Sequence, residues 1–259
     1  IGAAIHDGIE DAWANNYRVA LDALGYPEKV IERIRINPKP EDLTGEVIPI
    51  YLEQRVNKQV GKWTVSGKFD FVGEGIVQDF KSTSTYTYTS QSNAEKYPLQ
   101  GSLYRWLNPG IITEDYMLIH YIFTDWKAGL SWGEKYPSEP VLSQKFMMHS
   151  VPETEAYVKN KLDQLELALN ADEKSLPLCS DEDLWRSDPV FKYYRNPEKT
   201  KRSTKNFDNH NDAMAHQANE GNVGIVIEKP GQVKACAYCA GFALCTQKDA
   251  LIASGDLVL

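Results

Sequence analysis

The segment from Gly67 to Lys81 reads GKFD, a short apolar turn region, then DFK. It constrains the fold more than any other stretch. One acid ends a strand, a second acid lies on the next strand, and a lysine follows two residues later. A strand sends residues i and i+2 to the same side, so Asp79 and Lys81 share a face. With an even number of residues in the turn near Gly73-Glu74, Asp70 pairs opposite Val77 and joins that face. Two carboxylates and an ammonium converging on one patch of sheet are costly unless a cation lies between the acids. Metal-assisted hydrolysis of a phosphodiester requires such an arrangement.

A chain of 259 residues can bury a full core, so one domain, or one domain with an appendage, is expected. The apolar runs are too short to span a bilayer and no signal peptide is visible, so no membrane partner is expected. Four cysteines in this length do not make a disulfide scaffold, and a reducing cytoplasm is the expected compartment. The helical pattern begins almost at Ile1, and further residues upstream are expected.

The net charge of −8 argues against loose coating of nucleic acid. It leaves room for a local basic patch, and one exists. Arg186, Lys192, Arg195, Lys199, Lys201, Arg202 and Lys205 face only Asp188 and Glu198, with Phe191, Tyr193 and Tyr194 interleaved. Lys192, Arg195, Lys201 and Arg202 are the candidate DNA contacts. The stretch is expected to grip single-stranded DNA by phosphate charge and base stacking; a solvated basic loop is the plain alternative.

Ile5, Ile9 and Trp13 recur at helical spacing and predict a helix over residues 2–24, ended by Gly25-Tyr26-Pro27. A second short helix is expected over Glu28–Ile36 and a loop over 37–46. Strands are expected at Val47–Val56, Trp63–Val72 and Ile76–Ser82, with Trp63, Val65, Phe69 and Phe71 on one core face. The polar stretch Thr83–Ser92 reads as a loop. Glu95–Leu107 is a helix, Tyr116–Thr124 and Val141–Val151 are strands separated by a loop over 126–140, and Pro152–Ala171 is a helix. The expected class is α/β, with a core of helix, three strands, helix and strand over 1–176. Residues 177–259 form a cysteine-bearing C-terminal appendage packed on it.

Asp70 and Asp79 can supply oxygens to Mg²⁺ or Mn²⁺, hard cations that prefer such ligands. The backbone carbonyl of Phe80 can add another. Lys81 lies beside them, able to orient a water or offset phosphate charge. Gln100 and Tyr104, four apart, share a helix face and can bond a phosphate or steady the lysine. His6 on the first helix is an additional nitrogen ligand, and Glu53 a further acid. The plain reading of these residues is a surface hairpin with a salt bridge, a half-buried tyrosine and a packed histidine.

Four motifs now stand in order: G-x-x-x-H from Gly2 to His6, G-x-x-D from Gly67 to Asp70, D-x-K from Asp79 to Lys81 and Q-x-x-x-Y from Gln100 to Tyr104. Together they resemble the RecB-type branch of the PD-(D/E)XK nuclease superfamily, which includes the AddB nuclease domain, the CRISPR-adaptation exonucleases and phage RecB-like exonucleases. The resemblance implies a restriction-endonuclease-like α-β-β-β-α-β core with a mixed central sheet and metal-dependent DNA cleavage in recombination, repair or phage DNA processing. It implies His6, Asp70 and Asp79 as metal ligands, Lys81 as the catalytic lysine, Gln100 and Tyr104 as an accessory pair, and recombination proteins as partners. The competing reading is a catalytically silent module of the same shape that binds DNA or a recombination partner.

Cys236, Cys239 and Cys245 form C-x-x-C-x5-C, with Cys179 upstream. Four thiolates suit a [4Fe–4S] cluster or tetrahedral zinc. The AddB-like and CRISPR-adaptation nucleases are similar in carrying C-x-x-C-x5-C after the core, bound to an iron–sulfur cluster. Their remaining cysteine precedes the nuclease motifs, whereas Cys179 follows them. His210 and His216 are alternative zinc ligands.

Overall fold

The computed structural model of the chain describes residues 2–258 apart from 92, 132, 134 and 135. The chain divides into two compact units, Ile1–Gln164 and Leu165–Leu259. Among the described residues no helix is long and apolar enough to cross a membrane.

The first unit is mixed α/β. A broken N-terminal helix runs as α1 (Gly2–Asp11), a π turn (Ala12–Asn16) and α2 (Tyr17–Ala23). Then come α3 (Glu28–Ile31), β1 (Ile34–Ile36), β2 (Ile48–Val60), β3 (Trp63–Gly73), β4 (Ile76–Thr83), α4 (Thr85–Ser90) and α5 (Lys96–Leu107). β5 (Tyr116–Phe123), β6 (Val141–Met147) and α6 (Val151–Leu169) follow. The six strands make one sheet in sequence order. β1 with β2 and β4 with β5 are parallel; the other neighbours are antiparallel. A parallel pair needs a crossover, and α5 supplies the one between β4 and β5.

Hydrophobic clusters fill both sides of the sheet. One packs Phe69, Val72, Val77, Met117, Ile119 and Tyr121 with Tyr97 and Tyr104 of α5. The other packs Ile34, Ile50, Leu52 and Phe71 with Trp13, Tyr17 and Leu21 of the N-terminal helix. Full burial of each such side chain contributes about 1.5–3 kcal/mol, so both helices are held by their apolar faces.

Several expectations are corrected. Residues 34–36, expected to continue a helix, form an edge strand beside Ile48–Ile50. Thr85–Ser90, expected as loop, is helical; Ser92, at the end of that stretch, lies outside the described residues, as do 132, 134 and 135 of the loop expected over 126–140. The last strand stops at Met147, and Val151 already begins α6. Val77 pairs with Val72 rather than with Asp70. The turn between β3 and β4 is nonetheless even: Gly73 pairs with Ile76 around Glu74-Gly75, both at positive φ (52° and 81°), the conformation a two-residue hairpin of matching twist demands. The ladder ends with Phe71 opposite Gln78, which leaves Asp70 and Asp79 as the next residues of the two strands, near enough for their charges to act on each other.

The second unit has a three-stranded antiparallel sheet, ordered β8 (Lys205–Phe207), β7 (Val190–Tyr194), β9 (Ile225–Lys229). Helix α7 (His210–Asn219) sets the His210 ring against Phe191 and that of His216 against Tyr193 and Phe207. A separate cluster of Leu184, Val233, Leu251 and Leu257 includes Cys236 and Phe242 and anchors α8 (Thr246–Ser254).

Candidate active site

The pleat of the sheet switches faces at Asp70. Phe69 and Phe71, two apart, would share a side in a regular strand. Instead Phe69 meets Tyr104 of α5, ring centroids 6.5 Å apart, and Phe71 meets Trp13 on the opposite side at 5.2 Å. This corrects the single core face expected for β3. β2 switches at the same level: Leu52 packs with Phe71, whereas Val56 packs with Trp106 and Leu107. The ladder pairs Leu52 with Phe71 and Gln54 with Phe69, skipping Glu53 and Asp70 between them. Glu53 holds φ at 51°, a left-handed conformation uncommon for a residue with a side chain. The switch point thus presents two acids. Gly67 sits just before it, where an added Cβ would lie 2.5 Å from Leu107 Cδ1, so the glycine lets α5 approach the strand that carries Asp70.

Side chains from five elements meet here: α1, β2, β3, β4 and α5. His6 Nδ1 of α1 lies 3.1 Å from Asp70 Oδ2. Gln100 Nε2 of α5 donates to Asp79 Oδ1 at 2.7 Å and to the Tyr104 hydroxyl at 3.3 Å. Lys81 Nζ stands 2.7 Å from Asp79 Oδ2. That ammonium is at ion-pair distance but off the direction of a hydrogen bond, so Oδ2 is buried with no directed donor. Glu53 ion-pairs with Lys68.

The donor set suits a hard divalent cation. His6 Nε2 lies 2.8 Å from the carbonyl of Phe80, which can only accept, so Nε2 carries the proton. A metal-binding histidine characteristically gives its second N–H to such an acceptor, and here that leaves Nδ1 toward Asp70. Phe80, expected as a direct carbonyl ligand, uses that carbonyl to orient His6. Ligand atoms of His6, Glu53 and Asp70 all lie within 4.8 Å of one another. Asp79 lies outside that group, turned to Gln100 and Lys81. A cavity of about 10 Å³, room for one water-sized body, is lined by His6, Glu10, Glu53, Asp70 and Phe80. Glu10 and Lys68 escaped the sequence reading. Glu10 follows His6 by four residues on one helix face, which is the signal that could have found it.

Burial, then the charge of Asp79, push the Asp70 carboxyl above its ordinary range, although His6 pulls the other way. Burial works against the charged form of Lys81, yet Asp79 and Asp70 outweigh it and hold the ammonium above its usual range. Burial also raises the Tyr104 phenol. Lys81 therefore remains a cation and Tyr104 a neutral hydroxyl around neutral pH.

In the second unit, Cys179 exchanges hydrogen bonds with Gln247: its N–H donates at 2.9 Å and its carbonyl accepts at 3.0 Å. That ties it to α8, which starts immediately after Cys245. Burial raises the thiols of Cys179 and Cys236; Asp183 adds to the first, Cys179 to the second, and Cys239 and Cys245 to both. The four sulfurs thus share one neighbourhood. No three of them lie within 4.8 Å of one another. His210 and His216, the alternative ligands, are packed against aromatic rings instead.

Lys192, Arg195, Lys201 and Arg202 lie on or beside the hairpin joining β7 to β8. The aromatic half of the expected grip is withdrawn: Phe191, Tyr193 and Tyr194 are buried at 9%, 0% and 3% exposure, so their faces are closed to bases.

No family model, curated protein or solved structure matches this chain.

Proposed function

We propose that the chain is a Mg²⁺- or Mn²⁺-dependent deoxyribonuclease of RecB type, an exonuclease acting in recombination, repair or phage DNA processing. The observation that carries the reading is the meeting of His6, Asp70, Asp79, Lys81, Gln100 and Tyr104, residues up to 98 positions apart, with the bonds given above. A chance surface hairpin would not draw one histidine, one lysine and an amide–phenol pair onto the same two carboxylates. Within the six-stranded mixed sheet, the N-terminal helix, β2–β4, α5 and β5 follow the order expected of a nuclease-like core and support that reading, with β1 added at one edge and β6 at the other.

His6, Asp70 and Glu53, whose ligand atoms lie together, would hold the cation, and Asp79, the ligand implied by the resemblance, stands beside that group held by Gln100 and Lys81. Such an ion, when bound, polarises the phosphoryl oxygens and makes its water a better nucleophile. The chain's own groups do the rest. Gln100 fixes one oxygen of Asp79 and so aims the other. Lys81, kept charged by the acids, offsets charge on the phosphate and orients the water. The Tyr104 hydroxyl steadies Gln100. The four cysteines would hold a [4Fe–4S] cluster, with a single zinc as the alternative. Its role would be to staple the second unit's fold.

Incubating pure protein with end-labelled single- and double-stranded DNA tests the proposal. Degradation should require Mg²⁺ or Mn²⁺ and should be lost on Asp79→Ala. Failure to degrade DNA with either metal would favour the silent module.

A further inference from the structure

We infer that the β7–β8 hairpin is a docking surface for the phosphate backbone of a nucleic acid, recognised by charge and without contact to base faces. Residues 192–205 carry six cations and one acid, a surplus of five positive charges in a chain whose net charge is −8. Lys199, Lys201 and Arg202 stand exposed at the hairpin's end. Like charges crowded on one short loop repel one another, and the fold does little to relieve it. Among the described residues, Arg195 is the one cation of this hairpin with an acidic partner, Glu220 at 3.9 Å. In the same unit Arg186 bridges Asp181 and Asp256 at 2.6 and 3.0 Å, and Lys248 meets Asp249 at 2.6 Å.

The hairpin is also built rather than trailing. Thr204 N–H donates to the Tyr193 carbonyl at 2.8 Å, and Arg195 N–H donates to Thr204 Oγ1 at 3.1 Å, closing the neck. A turn at its far end is closed by the Lys199 N–H on the Asn196 carbonyl at 3.0 Å, with the Glu198 N–H on the Asn196 side chain at 3.0 Å. Below the neck, the Tyr193 hydroxyl donates to the Val223 carbonyl at 2.9 Å and its ring meets His216. A held loop loses less freedom on binding than a loose one. Because Phe191, Tyr193 and Tyr194 are spent on the core, no aromatic ring among them is left to stack on a base. The contact is therefore indifferent to sequence, accepts duplex as well as single strands, and depends steeply on salt. This inference stands apart from hydrolysis: a chain that binds but does not cut would keep it.

Binding is read by fluorescence anisotropy on the full chain carrying Asp79→Asn, with labelled single-stranded and duplex oligonucleotides of two base compositions, over a series of salt concentrations. Adding Lys201→Ala and Arg202→Ala should weaken binding roughly tenfold to a hundredfold. It should also flatten the log–log salt slope by about 1.4 for single strands and about 1.8 for duplex. The charge-reversed pair, Lys201→Glu with Arg202→Glu, should bind more weakly still. A control pair that removes two exposed lysines elsewhere, Lys29→Ala with Lys174→Ala, matches the change in net charge. If the hairpin pair and the control pair lower affinity and slope equally, or if affinity depends on base composition, the inference fails. Unchanged melting temperatures establish that each variant is folded.

Discussion

Gln100 Nε2 donates to Asp79 Oδ1 at 2.7 Å, and that one bond turns the other carboxylate oxygen to the Lys81 ammonium, 2.7 Å away. Oδ2 is left buried beside Lys81 without a directed donor. Replacing Gln100 by leucine keeps the bulk and removes the bond. Outer partners of this kind change metal affinity or activity by about 10- to 100-fold when lost. Gln100→Leu should weaken Mn²⁺ binding in calorimetry and slow DNA degradation by that order while leaving the melting temperature nearly unchanged. Equal activity in the variant would remove the amide from the site.

Asp70 carries the excess of negative charge. Burial and the neighbouring Asp79 raise its pKa. An acid raised in the folded state contributes stability that is full below its ordinary pKa and lost as pH rises through the folded value. Metal-free protein should therefore be strained at neutral and alkaline pH. Asp70→Asn should melt higher than the parent at about pH 8 without metal, and the advantage should vanish below about pH 4, where the native carboxyl is protonated anyway. Mg²⁺ or Mn²⁺ should stabilise the parent at about pH 8 and not the variant. A variant that melts lower than the parent at every pH would show that Asp70 is a purely structural acid.

Gly67 allows the close approach of α5. An added methyl would fall 2.5 Å from Leu107 Cδ1. Overpacking a filled contact costs about 1–3 kcal/mol, so Gly67→Ala should shift the denaturant midpoint by that amount. Because the Tyr104 ring also lies within 4 Å of the added carbon, activity should fall further than the loss of folded protein accounts for. A silent substitution would mean the Leu107 side chain is free to turn aside.

The cysteine neighbourhood makes a separate prediction. Protein purified without oxygen should show broad visible absorption and bound iron, and Cys239→Ser should lose both and unfold the second unit more readily. A colourless sample with one zinc per chain would replace the cluster by a single ion.

Much of this was legible residue by residue. Alternation in Tyr116–Phe123 is repeated in its burial, where every second residue is closed off. The sequence could bring Asp70 and Asp79 together only on condition of an even turn, and the two residues Glu74-Gly75 between Gly73 and Ile76 meet that condition, though with Val72 and not Asp70 opposite Val77. What escaped was set by distant contacts. Ile34–Ile36 is too short to display a period and is a strand only because Ile48–Ile50 lies beside it. Thr85–Ser90 is poor helix-forming sequence, and its first N–H is held by Asp125, forty residues on, at 2.7 Å. The face switch at Glu53 and Asp70 needs two strands at once, and the period-two rule, applied to either alone, put Phe69 and Phe71 on one side. Tyr193 and Tyr194 looked available for bases because burial is a property of the folded sheet.

The most direct test of the central claim compares the parent with Lys81→Ala on end-labelled DNA across Mg²⁺, Mn²⁺ and Ca²⁺. Lys81 lies 2.7 Å from Asp79 and is assigned a part in the reaction rather than in holding the ion. The parent should degrade DNA with Mg²⁺ or Mn²⁺. Lys81→Ala should bind Mn²⁺ yet lose at least about a hundredfold in rate, the scale expected when a charge aimed at the transition state is removed. Parent protein inert with every metal, or a variant as fast as the parent, would contradict the account.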